Sequence, residues 1–141
     1  GWRYNMSNIM AAIGLVQLEK YPEIAKKRKN LALCYDHFFS EHKVINIIPH
    51  DYSEVVPHIY VVRISGMKNR NLLREKLIKL GIQTGIHYQP NHLLSFYKEK
   101  NIPSFPVTDS IFPELLSLPL HPGLNDEDVS YVSKALLGLV K

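Results

Sequence analysis

The chain has 141 residues, 45% of them hydrophobic, and a formal charge of +4 at pH 7, which is the length and apolar content of one domain with a real core. The basic residues are spread over the chain rather than gathered into one block, so nucleic-acid binding is permitted but not implied. A single cysteine, Cys34, excludes an internal disulfide framework; with no basic-then-apolar leader and no apolar run of about 20 residues, the expected location is the cytoplasm.

Ser7 is a suitable N-cap for a first helix, preceded by a leading segment that carries Trp2, Arg3, Tyr4 and Asn5. From Ile9 to Leu18 only Gly14 and Gln17 are not apolar, so this helix is apolar on nearly every side and wants burial all round. A small domain rarely surrounds its first helix, and the chain is therefore expected to be a piece of something larger. Tyr21-Pro22 is expected to break the helix, with Pro22 opening a second one that runs to about His42. On that second helix Ile24, Leu31, Tyr35 and Phe38 share one face, while Lys26, Lys27 and Lys29 lie mostly off it.

Val44 to Ile48, closed by Pro49, reads as a strand at or near an edge. His58 to Ser65 reads as a second strand, with Tyr60, Val62 and Ile64 on one face and Ile59, Val61 and Arg63 on the other. Asn69 or Asn71 caps a helix through Leu80, and Gly81 stops it. Ile82 to Tyr88 is predicted as a third strand. Its face formed by Gln83, Gly85 and His87 has no apolar side chain, so it is free to look into a cleft. Gln89 to Pro122 reads as a wrapped segment with short helices near Leu93–Lys100 and Val107–Leu116, followed by an extended Ser117-Leu-Pro-Leu. Asn125 then caps a closing helix with acidic Asp126, Glu127 and Asp128 in its first turn and a buried face of Val129, Val132, Leu136, Leu139 and Val140. The fold class is α+β: two layers, a small, mostly antiparallel sheet covered by helices.

The histidines show no His-Glu-x-x-His spacing and there is no cysteine cluster, so no metal site is predicted. His37, His42, His50, His58, His92 and His121 read as surface or structural residues; His87 is the exception, because a strand end presents it on a polar face. Cys34 reads as a small buried residue rather than an activated thiolate, and Lys26-Lys27-Arg28-Lys29 as a solvated helix face. Arg3-Tyr4-Asn5 ahead of a helix N-terminus suits an anion, a weak signal by itself.

The opening Gly1-Trp-Arg-Tyr-Asn-Met-Ser-Asn-Ile-Met-Ala-Ala-Ile-Gly-Leu-Val-Gln-Leu, the strand Pro57-His-Ile-Tyr-Val-Val-Arg, the unit Leu80-Gly-Ile-Gln-Thr-Gly-Ile-His-Tyr-Gln-Pro and the closing Leu116-Ser-Leu-Pro-Leu-His-Pro-Gly-Leu-Asn-Asp-Glu-Asp-Val together resemble the C-terminal part of the DegT/DnrJ/StrS family of nucleotide-sugar aminotransferases. The resemblance implies the small C-terminal domain of the type I fold of pyridoxal-phosphate enzymes. Residues 1–20 would be a leading loop and interface helix and 21–141 an α+β body. It implies a homodimer with active sites at the subunit boundary and pyridoxal 5'-phosphate as cofactor. A preceding cofactor domain, absent here, would carry the Schiff-base lysine, and the substrates would be a nucleotide-linked keto-sugar and glutamate. Arg3 and Asn5 match the segment that reaches the cofactor phosphate of the neighbouring subunit, and His87 with Tyr88 matches a sugar contact. No lysine here sits in a matching motif, so the isolated chain is expected to be inactive, with no catalytic residue of its own. Two other readings of the chain are a stand-alone module pairing through its first helix and, far behind, a nucleic-acid-binding domain.

Overall fold

The computed structural model describes residues 4–97 and 103–140; Arg3 lies outside them. The first element is one helix, α1 (Asn8–Phe39), with Ser7 as N-cap, its side chain accepting from the backbone N–H of Met10. The expected break at Pro22 does not occur: Pro22 lies inside α1. An internal proline removes one backbone hydrogen bond at a local cost of about 3 kcal/mol. The turns on both sides hold, and the second half is anchored by packing.

That anchoring begins at Ala25. Leu31, Ala32, Tyr35 and Phe39 are buried, and the predicted face is right in substance, although Ile24 and Phe38 are only half-buried. The Arg28 guanidinium donates to the carbonyls of Pro57, His58 and Leu120 at 3.0 to 3.4 Å, and Lys29 donates to the Ser53 carbonyl. The basic run is therefore not simply a solvated face: two of its four residues tie α1 to distant loops. Tyr35 donates to the Pro119 carbonyl at 2.9 Å, and Tyr60 donates to the Asp36 carboxylate at 2.6 Å. Burial first, and then the Asp36 carboxylate, pushes the Tyr60 phenol far up and that of Tyr52 to about 12, so both remain protonated.

Strands β1 (Ile45–Ile47), β2 (Tyr60–Ile64) and β3 (Leu115–Leu118) form an antiparallel sheet in the order β1-β2-β3. The first two pair directly through a loop and β1 is an edge, both as expected. Register places Ile64 opposite Ile45, Val62 opposite Ile47 and Leu116, and Tyr60 opposite Leu118. One face of the sheet is thus wholly apolar. It joins Leu31, Tyr35 and Phe39 of α1 and Val129, Val132 and Leu136 of the closing helix α4 (Asp126–Leu139) in one core. Helix α2 (Arg70–Lys79), capped by the Asn69 side chain rather than by Asn71, adds Leu73 and Leu77. Asn125 and Asp128 cap α4 reciprocally.

The third strand is not Ile82–Tyr88. Only Gly85 pairs, with Ser117, each N–H reaching the other's carbonyl at 2.9 Å. In that register the neighbouring pairs would be Gln83 with Pro119 and His87 with Leu115. Pro119 has no N–H to give, which ends the ladder at that side; at the other, the Leu115 carbonyl accepts from Arg70, and a single pair remains. The strand role passes to Leu115–Leu118, where a helix through Leu116 was expected; the helical part ends earlier, as α3 (Pro106–Ile111) and a 3-10 turn over Phe112–Glu114. Two 3-10 turns, Asn91–Leu93 and Ser95–Tyr97, occupy the described part of the other expected helix.

Replacing Tyr60 by Phe leaves the half-buried Asp36 carboxylate without its donor and is expected to cost about 1 to 3 kcal/mol in urea unfolding; a change within error would show that the pair is idle. A second expectation concerns Glu114, which accepts from the Gly66 N–H and the Arg63 guanidinium, both at 2.7 Å. These bonds, the backbone one first, hold its carboxyl below the usual range. A depressed folded pKa stabilises the fold above the unfolded value, and that stabilisation is lost as pH falls through the folded one. Thermal melts across the acid range should therefore fall less steeply in Glu114→Gln than in the parent.

Candidate functional site

The apolar face of the sheet is occupied by core, so any site on it must use the opposite face. There Gly85 and Ser117 meet, and beside them opens a cleft of about 330 Å³. Its polar lining comes from His58, Gln83, Thr84, His87 and Ser117, and its apolar wall from Leu118, Pro119 and Leu120. Although Ile82–Tyr88 is not a strand, its alternation holds in part: Ile82 and Thr84 are buried, and Gln83, Gly85 and His87 line the cleft, which Thr84 also borders. The face without apolar side chains does look into a cavity.

His87 is held there by two features. Its Nδ1 lies 3.0 Å from the Ser117 Oγ, and its ring lies across Gly85, where an added Cβ would come within 3.0 Å of Nδ1 and closer still to the neighbouring ring carbon. Glycine at this position allows this ring placement by close approach, not by backbone angle, since a Cβ would have to displace the His87 ring. Tyr88 packs edge-on against His87, with ring centroids 4.9 Å apart. Tyr88 itself is 70% exposed, so the alternation that buries Ile82 and Thr84 does not extend to it.

The structure does not bring Asn5 together with His87 and Tyr88. Asn5 is exposed in the extended segment ahead of the Ser7 cap. From Asn8 to Arg28, whose guanidinium holds the His58 and Leu120 carbonyls beside the cleft, is about 30 Å along a helix rising 1.5 Å per residue. His87 with Tyr88 and Asn5 therefore serve separate places on the molecule. Between them most of the first half of α1 lies bare: Ile9, Met10, Ile13, Leu15, Val16 and Leu18 are all exposed. The expected burial all round is not supplied by this chain.

Sequence reasoning did not single out Ser117, Thr84 or His58 as site residues. Gln83 and Gly85 had a signal in the period-two pattern; Ser117 had none, because its role arises from a contact thirty residues away. Three other histidines make structural contacts: His42 accepts from the N–H groups of Val44 and Ile45, His121 from that of Gly123, and His92 pairs with Asp109 at 2.7 Å. Burial pushes the half-buried Cys34 thiol up, which suits an inert residue. Among the described residues no cluster of His, Cys, Asp or Glu is arranged to hold a metal ion, and no helix is long and apolar enough to cross a membrane.

The cleft lining contains imidazole, amide and hydroxyl groups but no lysine, arginine or carboxylate. Such a wall fits a neutral, hydroxyl-bearing ring. It offers neither an amine for covalent chemistry nor a cation for a phosphate.

Residues 1–137 match the model of the DegT/DnrJ/EryC1/StrS aminotransferase family, and the chain belongs to that family. Among solved structures, the Streptococcus pneumoniae protein Spr1654, assigned as a sugar aminotransferase, aligns in its PLP form with 34% identity over 96% of this chain and 36% of its own, at a TM-score of 0.89. Helicobacter pylori PseC, an aminotransferase involved in pseudoaminic acid biosynthesis, aligns with 27% identity over 99% of this chain and 39% of its own, at a TM-score of 0.91. DesV of S. venezuelae aligns with 26% identity over 97% of this chain and 37% of its own, at 0.85. The α+β fold is thus that of a part of these aminotransferases, and the chain spans well under half the length of each.

Gly85→Ala is expected to push the His87 ring off Ser117 while leaving the fold intact. Amide and imidazole NMR shifts should move at residues 85, 87 and 117 and little elsewhere; a spectrum unchanged at His87 would mean that the ring does not depend on this glycine.

Proposed function

We propose that this chain is the C-terminal small domain of a pyridoxal-phosphate-dependent aminotransferase that transfers an amino group, with glutamate as donor, onto a nucleotide-linked keto-sugar. The observation that carries the reading is the cleft at Gly85 and Ser117: a neutral, hydrogen-bonding wall with a presented imidazole and no reactive amine, in a chain of this family. Pyridoxal phosphate, when bound, supplies the electron sink for amino transfer. This chain's residues orient and enclose. His87 meets a sugar oxygen, Tyr88 lays an exposed ring beside it, and the apolar wall of Leu118 to Leu120 excludes water from one side.

Asn5 suits a phosphate oxygen, being an exposed amide ahead of a helix N-terminus, where backbone N–H groups favour negative charge. Arg3, its companion in the resemblance, adds a cation. The separation of Asn5 from the His87 cleft supports their working in different active sites of a homodimer, the leading segment reaching the cofactor phosphate of the neighbouring subunit. The bare half of α1 supports a preceding cofactor domain as its cover. It is also what a stand-alone module pairing through α1 would show, and sedimentation of this chain beside the full-length protein separates the two. A nucleic-acid role has less support, since no strand of the sheet carries an exposed aromatic side chain.

Incubated with pyridoxal phosphate, glutamate and a keto-sugar nucleotide, the isolated chain should give no amino sugar above the blank and should release the cofactor on gel filtration. The full-length protein should turn over, with a raised KM for the sugar nucleotide in His87→Ala. Turnover by the isolated chain would defeat the division of labour proposed here.

A further inference from the structure

A neutral imidazole carries one proton on two nitrogens, and which nitrogen holds it decides whether a site is offered a donor or an acceptor. At His87 the neighbouring hydroxyl makes the choice. Ser117 is only 4% exposed, and among the described residues its Oγ has a single hydrogen-bond partner, His87 Nδ1 at 3.0 Å. Were the ring proton on Nδ1, that N–H would donate to Oγ and the serine proton would be left buried without an acceptor, at the cost of its desolvation. With Nδ1 bare, the hydroxyl donates to it and both groups are satisfied.

We infer that Ser117 is a positioning residue that holds neutral His87 as its Nε2–H tautomer, so that the cleft is offered a hydrogen-bond donor. The backbone enforces the same geometry. The paired N–H and carbonyl groups of Gly85 and Ser117 fix the register that brings Oγ to Nδ1, and the missing Cβ at Gly85 leaves room for the ring beside it. Nε2 makes no hydrogen bond to any described residue. Its complement is an acceptor oxygen, carbonyl or hydroxyl, on the bound sugar; this last step rests on the function proposed above, whereas the tautomer does not.

Long-range proton–nitrogen NMR of the histidine rings in the 15N-labelled protein reads the tautomer directly. The expected result is a protonated Nε2 and a bare Nδ1 at His87, a mixture of tautomers in Ser117→Ala, and return of the parent pattern in Ser117→Thr, with circular dichroism confirming the fold of each variant. A proton on Nδ1 in the parent, or a Ser117→Ala spectrum identical to it, overturns the inference. In the full-length enzyme, Ser117→Ala should raise KM for the sugar nucleotide roughly three- to tenfold, the weight of one neutral hydrogen bond, and Ser117→Thr should restore it. If the tautomer pattern is as expected but neither Ser117→Ala nor His87→Ala moves KM, the tautomer lock stands and the cleft is not the sugar's wall.

Discussion

One helix that belongs to two environments governs the molecule. The second half of α1 is fastened by apolar packing at Leu31, Tyr35 and Phe39 and by polar bonds from Arg28 and Tyr35 to carbonyls at the approach to β2 and the exit from β3. The first half carries apolar side chains around its whole circumference and finds no cover in this chain. Burying a large aliphatic side chain is worth about 1.5 to 3 kcal/mol, so a run of such residues left in water is a standing drive toward association.

The same fastening builds the cleft. Arg28 gathers the carbonyls of Pro57, His58 and Leu120, which brings the approach to β2 and the exit from β3 to one point beside Gly85. Pro119 then limits the ladder there to one pair. A longer ladder would have drawn His87 into regular pairing with Leu115; the truncated one leaves its ring to lie over glycine and against a serine hydroxyl. The cleft thus exists because sheet formation stops where it does.

Much of this was legible in the residues. The alternation at Tyr60, Val62 and Ile64, the caps at Ser7, Asn69 and Asn125, and the polar face of Gln83, Gly85 and His87 follow from periodicity and short-range hydrogen bonding, which depend on neighbours in the chain. Other expectations failed. Pro22 does not end α1, because its lost hydrogen bond is a local cost and the turns on either side of it hold. Ile82–Tyr88 is not a strand, because its partner offers a proline in place of an N–H donor. Lys26 to Lys29 is not a solvated face, because Arg28 and Lys29 reach carbonyls of distant loops.

By itself, then, the sequence determined the α+β class, the apolar surplus of the first helix and the family to which the chain belongs, since each resides in local pattern or in motifs kept in order. Only the tertiary structure decided which residues meet. That Ser117 reaches His87, that Arg28 is a clamp rather than a solvated charge, and that Asn5 stands about 30 Å along the helix axis from the cleft are facts of long-range closure. They are set by contacts between segments tens of residues apart, for which no periodicity in the chain carries a signal.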